Sequence, residues 1–150
     1  MKPADVLALV NRHAGAWPVP LVMAIAEQES GRHDHRGVLV DFNERAFLMD
    51  RNGGSYGLMQ LDLPTARDRG YAGDGAGLYD PETNIRIGML QFDWIADDLR
   101  RHGALGLQAL IAAYNEGVGN VRRGNPDPRY VGRVMGYRER WRLALGLGVT

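Results

Sequence analysis

Leu21–Val22–Met23–Ala24–Ile25–Ala26–Glu27–Gln28–Glu29–Ser30–Gly31 begins with six apolar residues and ends with two carboxylates around a glutamine. The run reads as a helix, preceded by a break at Trp17–Pro18–Val19–Pro20 whose prolines suit a first helical turn. On a helix, the neighbours of Glu29 on its own face lie three, four and seven positions back, at Ala26, Ile25 and Val22, while Glu27 and Gln28 point elsewhere. A carboxylate on an apolar face is costly unless it is paired or protonated. Desolvation raises its pKa and suits it to general-acid work near neutral pH. The plainer reading is a glutamate that ends the helix and leans into solvent.

Outward from this segment the chain is mostly helical. Pro3 to Ala14 is expected to form a short helix with Val6, Leu7 and Val10 on one side. Asp62 to Gly70, with Pro64–Thr65–Ala66 inside it, predicts another, stopped by Gly70. Asp80 is a good N-cap with Pro81 in the first turn, and Ile85, Met89, Phe92, Ala96 and Leu99 follow at helical spacing up to Gly103. Leu107 to about Tyr114 is apolar on most sides and is expected to be central, closed by Asn115–Glu116–Gly117. Arg129 to Leu145 places Val131, Val134, Tyr137 and Trp141 on one face. Residues 31–56 differ in character: Val38–Leu39–Val40–Asp41–Phe42 is β-prone, Asn52–Gly53–Gly54 is a turn signal, and Glu44–Met49 is expected to hold a short helical piece.

The 150 residues fit one domain able to bury a sizeable core, and 45% apolar content is ordinary for a globular protein. Cysteine is absent, which excludes disulfides and thiolate chemistry. Net charge is zero, which argues against broad electrostatic binding to nucleic acid. Residues 120–150 nevertheless carry seven Arg against two acidic residues, and are read as a solvated helix face. No stretch reaches the ~20 apolar residues of a membrane span, so no membrane insertion is expected. The amino end lacks the apolar core of a secretory signal. Cytoplasmic synthesis with phage-type or secretion-linked release is therefore expected. His33 and His35 flank Asp34, but a metal site needs three or four ligands, and no metal or cofactor is expected.

Three separated segments then align with one family. Ala26–Glu27–Gln28–Glu29–Ser30–Gly31 resembles the catalytic Glu-Ser motif of the soluble lytic transglycosylases. Gly57–Leu58–Met59–Gln60, followed by Pro64–Thr65–Ala66, is similar to their second motif. Ala112–Ala113–Tyr114–Asn115–Glu116–Gly117 resembles the third. Asp80–Pro81 with Asn84, and Tyr130–Val131, are weaker echoes. The resemblance covers about residues 18–137. It implies a mainly α, lysozyme-like fold: a helical bundle around a central helix, with a small β-hairpin or loop region at about 31–56. Residues 1–150 would form a single catalytic domain, a monomer acting on peptidoglycan glycan strands, with no nucleic acid partner. The implied reaction cleaves the β-1,4 bond between N-acetylmuramic acid and N-acetylglucosamine and leaves a 1,6-anhydro sugar. Glu29 would act first as acid, then as base.

The residues suit such roles. Gly57 lets backbone approach a sugar closely. Gln60 offers both donor and acceptor. The Tyr114 hydroxyl, at the end of a helix, is expected to orient Glu29. Asn115 pairs either with substrate or with backbone as a helix cap. Met59 reads as packing or as a substrate contact. Where family members often carry Ser six positions before the motif glycine, this chain has Arg51, and Ser55 is the candidate to stand in. The segment between Glu29 and Gly57 is longer than in compact members, as in some phage and cell-wall lysins.

Asp62 opens an alternative. Goose-type lysozymes also place Asp two positions after this Gln, and Asp62 would then be the base that activates water in a muramidase. Its plainer role is an N-cap for the helix at Pro64–Thr65–Ala66. Asp34, Asp41 and Asp50 are further carboxylate candidates, and Trp17, Trp94 and Trp141 are read as core or groove edge. A non-catalytic glycan-binding or structural module is the third possibility.

Overall fold

The computed structural model describes residues 1–50 and 53–147. Seven α-helices run through them, with five short strands between the second and third. Helix α2 (Val19–Ser30) buries nine of its 12 residues, Pro20 through Glu27 and Ser30. It is the most deeply embedded element, because its apolar run leaves no polar side for water. Helix α1 (Pro3–His13) sets Val6 and Val10 against the core. Helix α4 (Pro81–Arg101) is capped by the Asp80 carboxylate, which accepts from Thr83 N at 2.8 Å, and it buries the predicted stripe Ile85, Met89, Phe92, Ala96 and Leu99. Helix α5 (Leu107–Glu116) buries only Leu110–Ala113. The central helix is thus α2 rather than the segment at 107–114, whose flanks stay at the surface.

The region 31–56 holds short strands joined by turns. β1 (Gly31–His33) and β2 (Leu39–Phe42) form an antiparallel hairpin with an irregularity between Arg32 and His33. β3 (Phe47–Leu48), β4 (Ser55–Tyr56) and β5 (Leu61–Asp62) form a second antiparallel sheet. The helical piece expected at Glu44–Met49 is absent. Asn43 closes a turn, accepting Ala46 N on its carbonyl at 3.0 Å and Arg45 N on its side chain at 3.2 Å, and the chain then enters β3. Four consecutive apolar residues carry no period, so pairing with β4 decides the outcome. Gly53 and Gly54 take positive φ, 96° and 115°, as the turn signal requires; Asn52 and Arg51 lie outside the described residues.

Helix α3 (Leu63–Asp68) follows β5 directly. A 3-10 turn at Ala76–Tyr79 and helix α6 (Val118–Arg122) had no reading in the sequence. Helix α7 (Pro128–Ala144) begins one residue earlier than expected, because Asp127 caps it through Arg129 N at 2.9 Å. It packs along α2, with Val131 and Val134 buried. Among the described residues no helix is long and apolar enough to cross a membrane.

Candidate active site

Glu29 sits in the last turn of α2, where that helix leaves the core. Its carboxyl is pushed up from the ordinary 4.5 to about 7, chiefly by burial, against the opposing effects of a Tyr130 hydrogen bond and the Arg133 charge. The Tyr130 hydroxyl, from the first turns of α7, donates to Glu29 Oε1. Burial and the neighbouring carboxylate raise the Tyr130 pKa in turn, so the phenol remains a donor. At pH 7 the carboxyl is therefore about half protonated, with one oxygen held and the other left for a reacting group.

Glu29 opens onto a cleft of about 200 Å³, lined also by Leu48, Asp50, Ser55, Gln60, Tyr114 and Asn115. Five of the expected site residues, Glu29, Ser55, Gln60, Tyr114 and Asn115, thus meet in one hollow although they span 87 positions of sequence. Their convergence follows from element ends: Glu29 ends α2, Ser55 lies in β4, Gln60 precedes β5, and Tyr114 and Asn115 end α5. A larger cavity of about 510 Å³ opens beside Glu27 and Trp141. The smaller cleft is the one that holds the carboxyl with the raised pKa.

Within the cleft the expected roles are redistributed. Tyr114 does not orient Glu29: its hydroxyl donates to Met59 O at 2.8 Å, and its ring stands edge-on to Phe92 at 5.2 Å. The orienting phenol is Tyr130, whose segment was noticed in the sequence only as a weak echo. Asn115 is exposed and is not the C-cap of α5, a place taken by Gly117. Gln60 takes a left-handed φ of 48°, a conformation that costs a non-glycine residue about 1 kcal/mol. Its amide nitrogen donates to Ala46 O and Gly57 O, both at 3.1 Å. Both amide hydrogens are then committed, and what Gln60 retains for a ligand is its acceptor oxygen. Ser55 Oγ donates to Asp50 Oδ2 at 2.8 Å, and Gly54 N donates to Asp50 Oδ1 at 3.1 Å.

Three expected site residues do not line the cleft. Met59 is a core residue: its side chain is fully buried, and its sulfur sits where any Cβ on Gly88 would fall, at 2.4 Å. Gly57 is buried too. It has φ of 76°, and the close approach it permits is to Asn84 Nδ2 and Leu78 O, which would lie 2.5 and 2.6 Å from a Cβ, rather than to a sugar. Asp62 caps α3 with both oxygens, accepting Thr65 N at 2.7 Å and Thr65 Oγ1 at 2.9 Å.

Two residues hold the motif loop 57–60 in place. Ser30 Oγ, buried, shares its one hydroxyl hydrogen between Ala26 O at 3.1 Å and Leu58 O at 2.8 Å, and so ties the Glu29 helix to the loop. Asn84, fully buried in α4, donates to Tyr56 O and Leu78 O and accepts Met59 N, each at 2.8 Å. The sequence marked Asn84 only by its place after Asp80–Pro81. The tryptophans serve elsewhere. Trp17 donates to Asp93, Trp94 lies under the Arg69 guanidinium at 4.5 Å, and Trp141 donates to Glu27. Among the described residues no group of three His, Cys, Asp or Glu is placed to hold a metal ion. His33 instead bonds Glu27.

A helical body, small antiparallel sheets beside it and a desolvated acid opening onto a cleft at the end of the innermost helix define the lysozyme-like class. Residues 10–129 match the model of the Transglycosylase SLT domain, and the chain belongs to that family. Solved structures agree. The 70 kDa soluble lytic transglycosylase of Escherichia coli is similar at 27% identity and a TM-score of 0.68, over 93% of this chain and 24% of that one. Its complex with bulgecin A gives 26% identity and 0.68 over the same shares. An inactive mutant of lytic transglycosylase Slt from Pseudomonas aeruginosa matches in fold, with 20% identity and 0.66 over 97% of this chain and 24% of that one. The chain thus spans about a quarter of the length of these proteins. No curated protein sequence matches it.

Proposed function

We propose that residues 1–150 act as one catalytic domain, a monomeric peptidoglycan lytic transglycosylase working at the cell wall. The observation that carries this reading is Glu29: a carboxyl with a pKa of about 7, held by Tyr130 and opening onto the cleft. Glu29 passes its proton to the oxygen linking muramic acid C1 to glucosamine C4, and that C1–O bond breaks. The carboxylate formed is stabilised by the Tyr130 hydroxyl and the Arg133 charge. The muramic acid C6 hydroxyl then attacks C1, its proton returns to Glu29, and a 1,6-anhydro sugar leaves. No water is consumed and no second carboxylate is required, in line with substrate-assisted exceptions to the two-carboxylate rule. Gln60 and Asn115 are assigned to acetamide or hydroxyl groups of the sugars. Leu48, 65% exposed at the cleft edge, is assigned to an apolar ring face.

Mass analysis of digested peptidoglycan tests the reading. Anhydro-muramoyl fragments are expected; reducing ends alone would overturn it in favour of a muramidase. The capping geometry of Asp62 weighs against the muramidase with Asp62 as base. Asp62→Asn is therefore expected to leave turnover and stability close to wild type, because Asn caps as well as Asp. Asp62→Ala is expected to lower stability by about 1 kcal/mol in thermal melts. A collapse of turnover in Asp62→Asn with the fold intact would return Asp62 to the chemistry.

A further inference from the structure

Glu27 is a second buried carboxylate, two residues before Glu29 and directed away from the cleft as its helix position predicts. It is 3% exposed. Its Oε1 accepts from Arg140 Nη2 at 2.7 Å and lies 2.8 Å from His33 Nε2, and its Oε2 accepts from Trp141 Nε1 at 2.7 Å. Tyr137 completes the cluster: Arg140 lies over its ring at 4.6 Å, and His33 stacks on it at 5.6 Å. An apolar residue of similar size would fill this place without the several kcal/mol that burying a carboxylate costs. What the carboxylate supplies in return is direction: it fixes which residues of α7 stand against α2.

The same turn of α2 shows why register matters. Gln28 Oε1 accepts from Arg133 Nε at 3.0 Å, and Glu29 Oε1 accepts from Tyr130. Three successive side chains of α2 each hold α7, at 140–141, at 133 and at 130. We propose that Glu27 is a positioning residue for the active site, which fixes α7 on α2 so that the Tyr130 hydroxyl stays on Glu29. The proposal rests on Glu29 being the proton donor.

The pH profile of kcat separates this role from a merely structural one. Glu29 is faced by Tyr130 and Arg133 of α7, Tyr114 of α5 and Asp50 after β3. Glu27 is faced by Arg140 and Trp141 of α7 and His33 of β1, with Arg36 of the β1–β2 turn lining the adjacent cavity. Tyr130 and Arg133 both lower the Glu29 pKa, so slippage of α7 raises it and moves the alkaline limb of kcat to higher pH. Removing the Glu27 charge with α7 in place acts in the opposite sense.

The experiment compares kcat and KM against pH on peptidoglycan for wild type, Glu27→Ala, Tyr130→Phe and the double variant. Glu27→Ala is expected to lower kcat by about tenfold, the loss of one charge-assisted hydrogen bond to Glu29, with KM nearly unchanged. Its alkaline limb is expected to move up, as in Tyr130→Phe, and the double variant to fall no further than Tyr130→Phe alone. A lower melting temperature with an unmoved limb, a limb moved down, additive losses, or a Tyr130→Phe profile equal to wild type would each overturn the proposal. If Glu27→Ala does not fold, Trp141→Phe removes one donor, keeps a ring, and is read by the same criteria with a smaller effect. Glu29→Gln, run beside them, keeps the two failures apart. Activity in Glu29→Gln removes the functional reading and the positioning role with it; an inactive Glu29→Gln beside an unmoved Glu27→Ala profile removes the positioning role alone.

Discussion

Glu29→Gln is expected to abolish peptidoglycan cleavage, by the ~10²–10⁴-fold that a positioned general acid contributes, while the protein remains folded. Gln keeps the size of Glu and an acceptor for the Tyr130 hydroxyl, but it has no proton to give. The same substitution has a stability signature with a definite sign. In the fold the Glu29 carboxyl has a pKa of about 7, against 4.5 in the unfolded chain. Between these values the folded state binds more protons than the unfolded one, so stability falls as pH rises. The penalty is absent below pH 4.5 and fully present above about pH 7, where it amounts to about 3 kcal/mol. Glu29→Gln removes it. The variant should thus be inactive and, in denaturant titrations, gain stability over wild type at pH 8 much more than at pH 5. An active variant would contradict the acid role; an equal difference at both pH values would contradict the buried, protonated carboxyl.

Asn84→Ala is expected to lower stability by about 3–5 kcal/mol, because it leaves three buried backbone groups without their partner. Those groups are Met59 N, Tyr56 O and Leu78 O, each now paired with Asn84 at 2.8 Å. Tyr56 borders the loop that presents Gln60, Met59 belongs to it, and Leu78 lies in the 3-10 turn beside it, so activity should fall as well, even at temperatures where the variant is folded. Thermal melts together with turnover at low temperature check both parts. A melting temperature within a degree or two of wild type would show that the loop is held by something else. Gly57 meets the same asparagine: a Cβ there would fall 2.5 Å from Asn84 Nδ2, which ties the motif glycine to α4 rather than to a ligand.

Local periodicity made Glu29 legible. The three positions on its helix face are apolar, which raises a desolvated acid beside the plainer solvent-facing glutamate, and the motif resemblance decides between them. The α4 stripe and its Asp80 cap were readable for the same reason, since both depend on residues within one or two turns. Motif resemblance marks Gln60, Tyr114 and Asn115 as site residues, Ser55 enters only as the candidate to stand in for the serine missing at Arg51, and all four line the cleft with Glu29. What escaped the sequence depends on contacts distant along the chain. Tyr130 meets Glu29 across 101 positions, and nothing local distinguishes it from Tyr114, whose hydroxyl is taken by a carbonyl. Glu27 lies off the face that carries Glu29 and is held by distant residues, Arg140 and Trp141 of α7 and His33 of β1. The strand at Phe47–Leu48 arises from its pairing with Ser55–Tyr56, which a run of apolar residues does not announce.

Carbon-13 NMR titration of glutamate-labelled protein, with Glu29→Gln used to assign the resonance, measures the central quantity directly. A Glu29 carboxyl that titrates near pH 7, and moves higher in Tyr130→Phe, is the predicted result. Titration near 4.5, unchanged by Tyr130→Phe, would contradict the account, because the cleft would then hold no acid to protonate the leaving oxygen.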